Sequence, residues 1–503
     1  MSTKAFSLSI LFLGFVVIGS TLPVRAQAKF TAPTAWVPKS VAYVKASNPA
    51  EGAQFGYEIA MSGDGNTMAV GSINESSGAK GINGKEGAQG VKDSGAVYVY
   101  VRKNGAWAQQ AYVKASNPKE EALFGSAVAL SNDGNTMAVA AYLENSSATG
   151  VNGNQMDTGA DSAGAVYVFS RSGTTWTQQA YVKASNTGEG DQFGFSVALS
   201  GDGNTLAAGA IEEASRATGV NGDQKDDSQP GNGAAYVFSR TGTTWSQQAY
   251  TKADTPGGLF GYGVGLSGNG DTLAVGDENS DAGFVYAFQR TGTTWAKQGV
   301  MAPVNGENSD NLGWCVAISA DGNTIVAGAN DEDSLFTGVP ANDLGAHDVA
   351  RDASVGAAYV FTRDASGKWA QQVWFKAINA RKNDQYGTSI AISADGNTVA
   401  VGSMFGAGAG GSKGVNADPN DETQFGSGSA YLYTRSGNTW VPAAYVKAPN
   451  ARTSAQFGNS VALSADGKTL AVGSFRETSG AKGVNGNEAD TSAPEAGAVY
   501  IYY

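Results

Sequence analysis

The chain has 503 residues, with 33 Lys and Arg against 45 Asp and Glu, and its formal net charge of −12 argues against nucleic acid or an anionic membrane as a partner. A single cysteine and a single histidine exclude an internal disulfide and any metal site built from several of these ligands. The 69 glycines are close to twice the usual share of about 7%, and with 41% apolar residues they indicate many turns rather than disorder.

The first 28 residues are expected to be a cleavable export signal. Lys4 precedes a short apolar run over residues 6–19, and residues 26–28 have the small-x-small pattern that signal peptidase accepts. The run is shorter than the roughly 20 residues that span a bilayer, and no cysteine follows it to carry a lipid. We therefore predict a secreted or periplasmic protein without membrane insertion after cleavage. Its mature chain, residues 29–503, would have 31 basic and 45 acidic residues, a net charge of −14.

One repeat occurs seven times in the remainder of the chain. Each copy starts with an aromatic residue or Leu followed by Gly, at positions 55, 124, 193, 260, 312, 386 and 457. Two alternating segments follow, joined by a tight Asp-Gly turn or, in the fourth copy, by Asn-Gly, which is the strongest local signal for a β-hairpin. A third strand such as Ala96–Tyr100 comes next, and in six copies it precedes a strand led by tryptophan.

The chain ends after the third strand of the seventh copy, but residues 36–45 (WVPKSVAYVK) resemble the tryptophan-led strand and precede the first copy. They can complete the last sheet and join the two ends of a ring. We predict an all-β fold, a single seven-bladed β-propeller of four-stranded antiparallel blades over residues 29–503, closed by this N-terminal outer strand. An open solenoid is the competing fold, and it would need polar caps at both ends.

The pattern FGxSVALSxDGNTLAVGS followed by GAVYVF resembles the FG-GAP repeat of integrin α-subunit head domains and of related bacterial exported proteins. The resemblance covers residues 36–503 and implies a propeller that presents loops to a protein partner. Integrin-type repeats often carry a calcium loop between the first two strands, whereas here that connection is a short turn such as residues 62–67 (SGDGNT). One carboxylate cannot supply about six to eight oxygen ligands, so we expect no calcium site and no cofactor.

Six copies carry insertions of roughly 20 residues between the second and third strands, and the fourth copy carries about six. In an up-and-down blade these insertions share one face with the connections between blades, so that face is the expected binding surface. Five insertions contain Gly-(Val/Ile)-Asn, and the candidate binding residues in them are Asn83, Asn152, Asn221 and Asn485. These motifs are either self-packing turns or ligand contacts, and the acidic residues beside them are either solvated or weak calcium ligands.

The residue after each aromatic-Gly pair should open an innermost strand at the mouth of the central channel. It is aromatic in four copies, at Tyr57, Phe195, Tyr262 and Trp314. The resemblance to integrin heads implies an aromatic cup that grips a basic residue of a partner by cation–π contacts, incomplete here at three blades. The alternative is that these rings only fill the channel.

No catalytic group stands out. His347 lies in a polar insertion, Cys315 occupies a position that is small in other copies, and the inner strands supply one carboxylate, Glu58. We predict a monomeric, non-catalytic module for protein interaction or adhesion, with an extracellular or periplasmic protein as its partner. A carbohydrate-binding lectin of the integrin-like propeller type is the alternative, and a hydrolase is the weakest hypothesis. No aromatic residue recurs in the loops, which favours the protein partner over the glycan.

Overall fold

Alternating apolar residues between Gly-containing turns form short strands, and these assemble into seven antiparallel sheets. The computed structural model describes residues 36, 38, 41–87, 90–278, 282–339, 353–406, 413–421 and 423–503. The predicted export signal and His347 lie outside the described residues.

The strands of the first three sheets follow one another along the chain. Blade 1 contains β2 (Phe55–Met61), β3 (Thr67–Ser72), β4 (Ala96–Lys103) and β5 (Ala106–Val113). Blade 2 contains β6 (Val128–Leu130), β7 (Thr136–Ala141), β8 (Ala165–Ser172) and β9 (Thr175–Val182). Blade 3 contains β10 (Phe193–Leu199), β11 (Thr205–Ala210), β13 (Ala234–Thr241) and β14 (Thr244–Lys252), with the short β12 (Gly219–Val220) as a fifth strand.

The remaining sheets repeat this order. Blade 4 contains β15 (Leu259–Leu266), β16 (Thr272–Glu278), β17 (Phe284–Thr291) and β18 (Thr294–Met301). Blade 5 contains β19 (Leu312–Ile318), β20 (Thr324–Ala329), β21 (Ala357–Arg363) and β22 (Trp369–Phe375), and blade 6 contains β23 (Tyr386–Ile392), β24 (Thr398–Ser403), β25 (Ser429–Ser436) and β26 (Thr439–Val446). Blade 7 contains β27 (Phe457–Leu463), β28 (Leu470–Ser474), β29 (Ala498–Tyr502) and β1 (Val41–Val44). The predicted all-β, seven-bladed propeller of four-stranded antiparallel blades is confirmed.

The outermost strand of blade 7 comes from the N-terminal part of the chain. β1 pairs antiparallel with β29, from Val41 opposite Tyr502 to Val44 opposite Val499. The strand is shorter than the predicted residues 36–45, and Trp36 does not occupy the repeated tryptophan position. It precedes Lys45 by nine residues, whereas Trp107 precedes Lys114 by seven, so Trp36 packs on the core from outside the strand.

The core lies between neighbouring blades rather than inside one blade. The Phe124 ring is fully buried, contacts Tyr167 and Phe169 edge-on in its own blade, and packs in one cluster with Val97 and Val99 of blade 1. Each aromatic-Gly pair therefore serves as a wedge between two sheets, which explains its recurrence. The following glycine is also required, because Gly125 has a φ of +97° and a Cβ on it would lie 2.7 Å from the Ala96 carbonyl oxygen.

A second connection between blades involves the repeated tryptophan. Trp176 Nε1 donates a hydrogen bond of 3.0 Å to Gln110 Oε1 of blade 1, and the Arg171 guanidinium, which lies over the Trp176 ring, donates to the same oxygen at 3.1 Å. Blades 3, 4 and 6 repeat the tryptophan bond through Trp245, Trp295 and Trp440. These contacts join the outer strands of neighbouring blades.

In the tight turns between first and second strands, the aspartate side chain accepts hydrogen bonds from within its own turn. Asp64 Oδ1 accepts hydrogen bonds from Ser62 Oγ at 2.6 Å and from the Asn66 amide at 2.9 Å. Burial opposes ionisation of Asp64, but these hydrogen bonds outweigh it and hold its pKa below the usual range. The carboxylate therefore stabilises the turn.

Candidate functional site in the central channel

The inner ends of the blades surround a cavity of about 450 Å³. Its wall consists of the two residues that follow each aromatic-Gly pair, the Val or Ile after them in six blades, and three side chains that directly follow second strands. Both of these positions line the cavity in all seven blades. The seven residues that were expected at the channel therefore all line this cavity.

An aromatic collar lines the mouth of this cavity. The four predicted side chains, Tyr57, Phe195, Tyr262 and Trp314, all line it and are each half-buried. Ring centroids of Phe195 and Tyr262 are 4.7 Å apart, and those of Tyr262 and Trp314 are also 4.7 Å apart. The rings of blades 3, 4 and 5 therefore form one continuous aromatic surface.

In the three blades without an aromatic residue after the aromatic-Gly pair, a large side chain from a different part of the blade lines the cavity. Their residues after the aromatic-Gly pair are small or polar, and sixteen residues later each of them has a large side chain at the end of its second strand. These larger residues, Tyr142, Met404 and Phe475, line the same cavity. Tyr142 contacts Phe195 at 5.5 Å, and Phe475 contacts Tyr57 at 5.6 Å. The first-strand positions of these three blades are not aromatic, as expected, and the side chains that follow their second strands, two aromatic and one Met, lie in the same cavity wall.

Below the collar, side chains at the second position connect adjacent blades. Ser196 Oγ donates to the Gly261 carbonyl at 2.7 Å, and Ser389 Oγ donates to the Gly458 carbonyl at 2.9 Å. Cys315 takes the place of the serine in blade 5, with its Sγ 3.1 Å from the Gly387 carbonyl oxygen. Burial raises the pKa of the Cys315 thiol to about 12, so the thiolate is not formed near neutral pH.

Glu58 occupies this second position in blade 1 and is the only acidic residue in the described wall of the cavity. Burial raises the pKa of its carboxyl to about 8, although a hydrogen bond from the Ile59 amide opposes the rise. A cation that entered the channel would favour the ionised form and lower this pKa. The described wall of the channel thus contains aromatic rings together with one carboxyl group whose ionisation would be favoured by a bound cation.

Two polar atoms of the channel wall have no partner in the described structure. Thr388 Oγ1 and Asn459 Oδ1 are both buried without a hydrogen bond. The Asn459 amide nitrogen, by contrast, donates to the Tyr57 carbonyl at 2.7 Å. A hydrogen-bonding ligand in the channel could satisfy both atoms.

The four candidate asparagines lie elsewhere, at the outer edges of the blades. The backbone N–H of Asn83 donates to the Tyr112 carbonyl at 2.7 Å, and the side-chain Oδ1 of Asn83 accepts from the Tyr112 backbone N–H at 3.0 Å. The same pair of bonds joins Asn152 to Tyr181, Asn221 to Tyr250 and Asn485 to Tyr43. The structure therefore brings together the four aromatic candidates and keeps the asparagines apart from them, with their carboxamide oxygens bonded to outer strands.

Buried lysine–glutamate pairs anchor the insertions, and sequence reasoning missed them. Lys114 Nζ lies 2.7 Å from Glu75 Oε2, and Lys183 Nζ lies 3.1 Å from Glu144 Oε2, with all four side chains nearly inaccessible. Three further pairs join Lys45 to Glu477, Lys252 to Glu213 and Lys376 to Glu332. Lys114 is buried at the end of a strand, and that burial lowers its pKa while Glu75 opposes the change. A lysine repeated at the end of an apolar strand was the available sequence signal.

Within the described residues, no three His, Cys, Asp or Glu side chains are grouped as metal ligands. A helix long and apolar enough to cross a membrane is likewise absent from the part of the chain that the structure describes.

Residues 107–169 and 176–238 match the family model of the FG-GAP repeat. No match was found among curated proteins. Among solved structures, the WD40 repeats of RRP9 align over 93% of this chain and 98% of their own, with a TM-score of 0.50 and 9% identity. A protein from Lactobacillus plantarum aligns over 87% of this chain and 99% of its own, with a TM-score of 0.49 and 12% identity. At such low identity the likeness to the WD40 repeats concerns the propeller fold alone.

Proposed function

Because the chain is a β-propeller that contains FG-GAP repeats, we propose that it is an exported, non-catalytic module for protein interaction or adhesion. In this proposal the partner docks on the face that carries the insertions and places a basic side chain in the aromatic collar. The observation that carries the proposal is the collar itself, which joins rings from first and second strands around a channel whose described wall contains Glu58.

The position of the collar in the strand order supports docking on that face. Tyr57 and Trp314 follow the connections from the preceding blades, and Phe475 directly follows a second strand, at the start of an insertion. In an antiparallel blade both of these points lie on the face that holds the insertions. The insertions themselves expose large apolar side chains, with Met156 70% and Phe425 60% accessible, as a protein-binding surface requires.

The electrostatics favour a cationic group of the partner. A cation over an aromatic face contributes roughly 0.5 to 2 kcal/mol, and Tyr262 and Trp314 present adjacent faces to the same cavity. The acidic net charge of the chain would attract a basic partner at long range. Glu58 would become ionised when the cation enters, so binding should release a proton at neutral pH.

A small guanidinium compound is the direct test of this site. We expect n-butylguanidinium to bind the full chain, as followed by NMR shifts of the tryptophan indole protons, and the neutral isostere n-butylurea to bind much more weakly. The Tyr262→Ala/Trp314→Ala variant should lose this preference, whereas Val441→Ala, which lies on the outer strand of blade 6, should keep it. Equal binding of the two compounds to the wild-type chain would contradict the proposed cation site.

A lectin is the second candidate, supported by the unpartnered Thr388 Oγ1 and Asn459 Oδ1 beside the collar. A sugar can stack on an aromatic ring while its hydroxyls bond to such atoms. A glycan array probed with the wild-type chain and the Asn459→Leu variant separates the two functions. Glycan binding that disappears in the variant would favour the lectin over the protein-binding module.

A further inference from the structure

The outer edges of the blades are covered by segments of the chain itself. In blade 1 the insertion runs back along β5, where the Lys114 amide donates to the Gly81 carbonyl at 2.7 Å and Asn83 bonds to both backbone groups of Tyr112. We call such a Gly-(Val/Ile)-Asn run an edge segment. Blades 2, 3, 6 and 7 have the same arrangement at residues 150–152, 219–221, 414–416 and 483–485. In blade 5, Gly338 makes the equivalent backbone bonds to Lys376 and Ala377.

Blade 4 has no edge segment among the described residues. Only a few residues connect Glu278 to Phe284, and the described sheet ends at β18. Val300 pairs with Tyr286 on β17, as Tyr112 pairs with Tyr98 in blade 1, so the Val300 backbone groups face outward like those of Tyr112. No hydrogen bond to the amides of Val300 or Ala302 occurs from any described segment beyond β17.

The side chains at the edge of blade 4 also differ from those at the matching positions of blade 1. Val300 is 40% exposed, whereas Tyr112 at the matching position in blade 1 is 1% exposed. Ala302 occupies the position of Lys114, so the buried ammonium that anchors the edge segments is missing along with its glutamate. Val304 farther along is 62% exposed. Beside Val300 and Ala302 the edge is therefore apolar and open, without the anchoring lysine, whereas farther along the Val304 amide donates to Gln371 Oε1 of blade 5 at 2.8 Å.

We propose that the outer edge of β18 is a docking site for an extended segment of a partner protein with the chemistry of an edge segment, a glycine followed by a β-branched aliphatic residue and an asparagine. Its glycine allows the left-handed backbone seen at Gly81, Gly150 and Gly219, where φ is +65°, +68° and +71°. Its aliphatic side chain covers Val300, and its asparagine bonds to both Val300 backbone groups. Affinity then comes from main-chain bonds and selectivity from the amide.

The six covered blades identify the chemistry of the occupant, and they also argue against a second copy of this chain. The described edge segments of such a copy are already bonded to their own outer strands, and those of blades 1, 2, 3 and 7 are anchored by buried lysine–glutamate pairs. Moving one of these four insertions away from its blade would disturb a buried ion pair. A partner with a free segment meets no such cost. This site is separate from the channel, so the proposal for it does not depend on the proposed function.

The test uses the full mature chain and the peptide ATGVNGDQ, which copies residues 217–224, with amide hydrogen exchange as the readout. Without peptide, the Val300 and Ala302 amides should exchange faster than those of Tyr112 and Lys114. The peptide should slow both by about fivefold or more, whereas ATGVLGDQ, which lacks the amide acceptor, should have little effect. No slowing at millimolar peptide, or equal slowing by both peptides, would overturn the proposal.

Two matched variants check the backbone contact. Val300→Pro removes the outward amide at an edge position that tolerates proline and should weaken peptide binding about threefold to tenfold, while Val300→Thr keeps the amide and should bind as the wild type does. If the proline variant does not fold, the exchange measurement on the wild-type chain still decides the matter. Protection that grows with protein concentration in the absence of peptide would identify a second copy as the occupant and refute the partner segment.

Discussion

The ammonium of Lys114 lies 2.7 Å from the carboxylate of Glu75, and the two side chains are 0% and 5% exposed. Lys114 directly follows β5, the outer strand of blade 1, and Glu75 lies near the start of the insertion of the same blade. The pair therefore ties the start of a long loop to the sheet, where the same loop covers the outer edge. Lys114 Nζ also donates to Ser94 Oγ at 2.8 Å, so the buried charge is well satisfied.

We predict that Glu75→Gln destabilises the fold strongly, because it leaves the Lys114 ammonium buried without its counter-charge. Loss of one partner of a buried pair costs about 3 to 5 kcal/mol. Glu121→Gln is the matched control, since Glu121 pairs with Lys92 at 2.5 Å on an exposed surface and such pairs contribute about 0 to 1 kcal/mol. Urea denaturation of both variants gives the free energy of unfolding. Equal effects of the two changes would mean that the buried pair does not anchor the blade.

Lys447 is the exception to this pattern and predicts a particular pH dependence. Its Nζ donates to Ser427 Oγ at 2.7 Å and forms no ion pair with a described residue, and burial lowers its pKa to about 7. A lysine whose folded pKa lies below its unfolded value destabilises the fold fully below pH 7, and this cost declines as pH rises from 7 toward 10.5.

Lys447→Met should therefore raise the free energy of unfolding at pH 7 and flatten its rise between pH 7 and 10. Thermal or urea unfolding at a series of pH values measures both effects. Lys468→Met, which changes an 80% exposed lysine, serves as the control. A variant that is less stable than the wild type at pH 7 would show that the hydrogen bonds of Lys447 outweigh its desolvation.

Deleting residues 36–45 should expose the edge of β29. It should also leave Glu477 buried without Lys45, its partner at 2.8 Å. An unpaired strand edge promotes association between molecules. We expect a lower melting temperature and concentration-dependent aggregation, measured by light scattering during a thermal scan. A truncated chain that remains monomeric with an unchanged melting temperature would show that the N-terminal strand contributes little to the ring.

The number of blades could be predicted from the sequence because its signals are local. An Asp-Gly turn and its two flanking segments lie within about fifteen residues, and the aspartate, as in Asp64, bonds within its own turn. The lysine–glutamate anchors depend instead on residues that are 39 positions apart in blade 1, one in a strand and one in a loop without periodicity. The aromatic collar was half predictable. Tyr57 and Trp314 follow a motif, whereas Tyr142 and Phe475 join them only because two strand ends converge.

Cation binding in the channel should depend on Glu58. Its carboxyl has a pKa of about 8, above the unfolded value, so ionisation becomes favourable only as pH rises through 8 or when a cation is bound. We predict that n-butylguanidinium binds more tightly at pH 9 than at pH 6 and that Glu58→Gln removes this difference. The Tyr57 and Cys315 side chains nearby have pKa values of about 12 and stay neutral over this range. Calorimetry in buffers of different ionisation enthalpy would also report the proton released at pH 7.

The collar variant Tyr262→Ala/Trp314→Ala is the sharpest test of protein binding, because the two rings lie 4.7 Å apart and present one surface to the channel. Both side chains are half-buried and lie at the mouth rather than between blades, so the fold should survive their truncation. Two lost cation–π contacts should weaken partner binding by roughly 1 to 4 kcal/mol, about fivefold to a thousandfold. The measurement is the affinity for a partner captured from the native envelope, with melting temperature as the check on folding.

Phe425→Ser, on an insertion of the same face, separates the contribution of the insertions from that of the channel, because it removes an exposed ring without changing the channel wall. An unchanged affinity in the collar variant together with a loss in Phe425→Ser would move the binding site from the channel to the insertions.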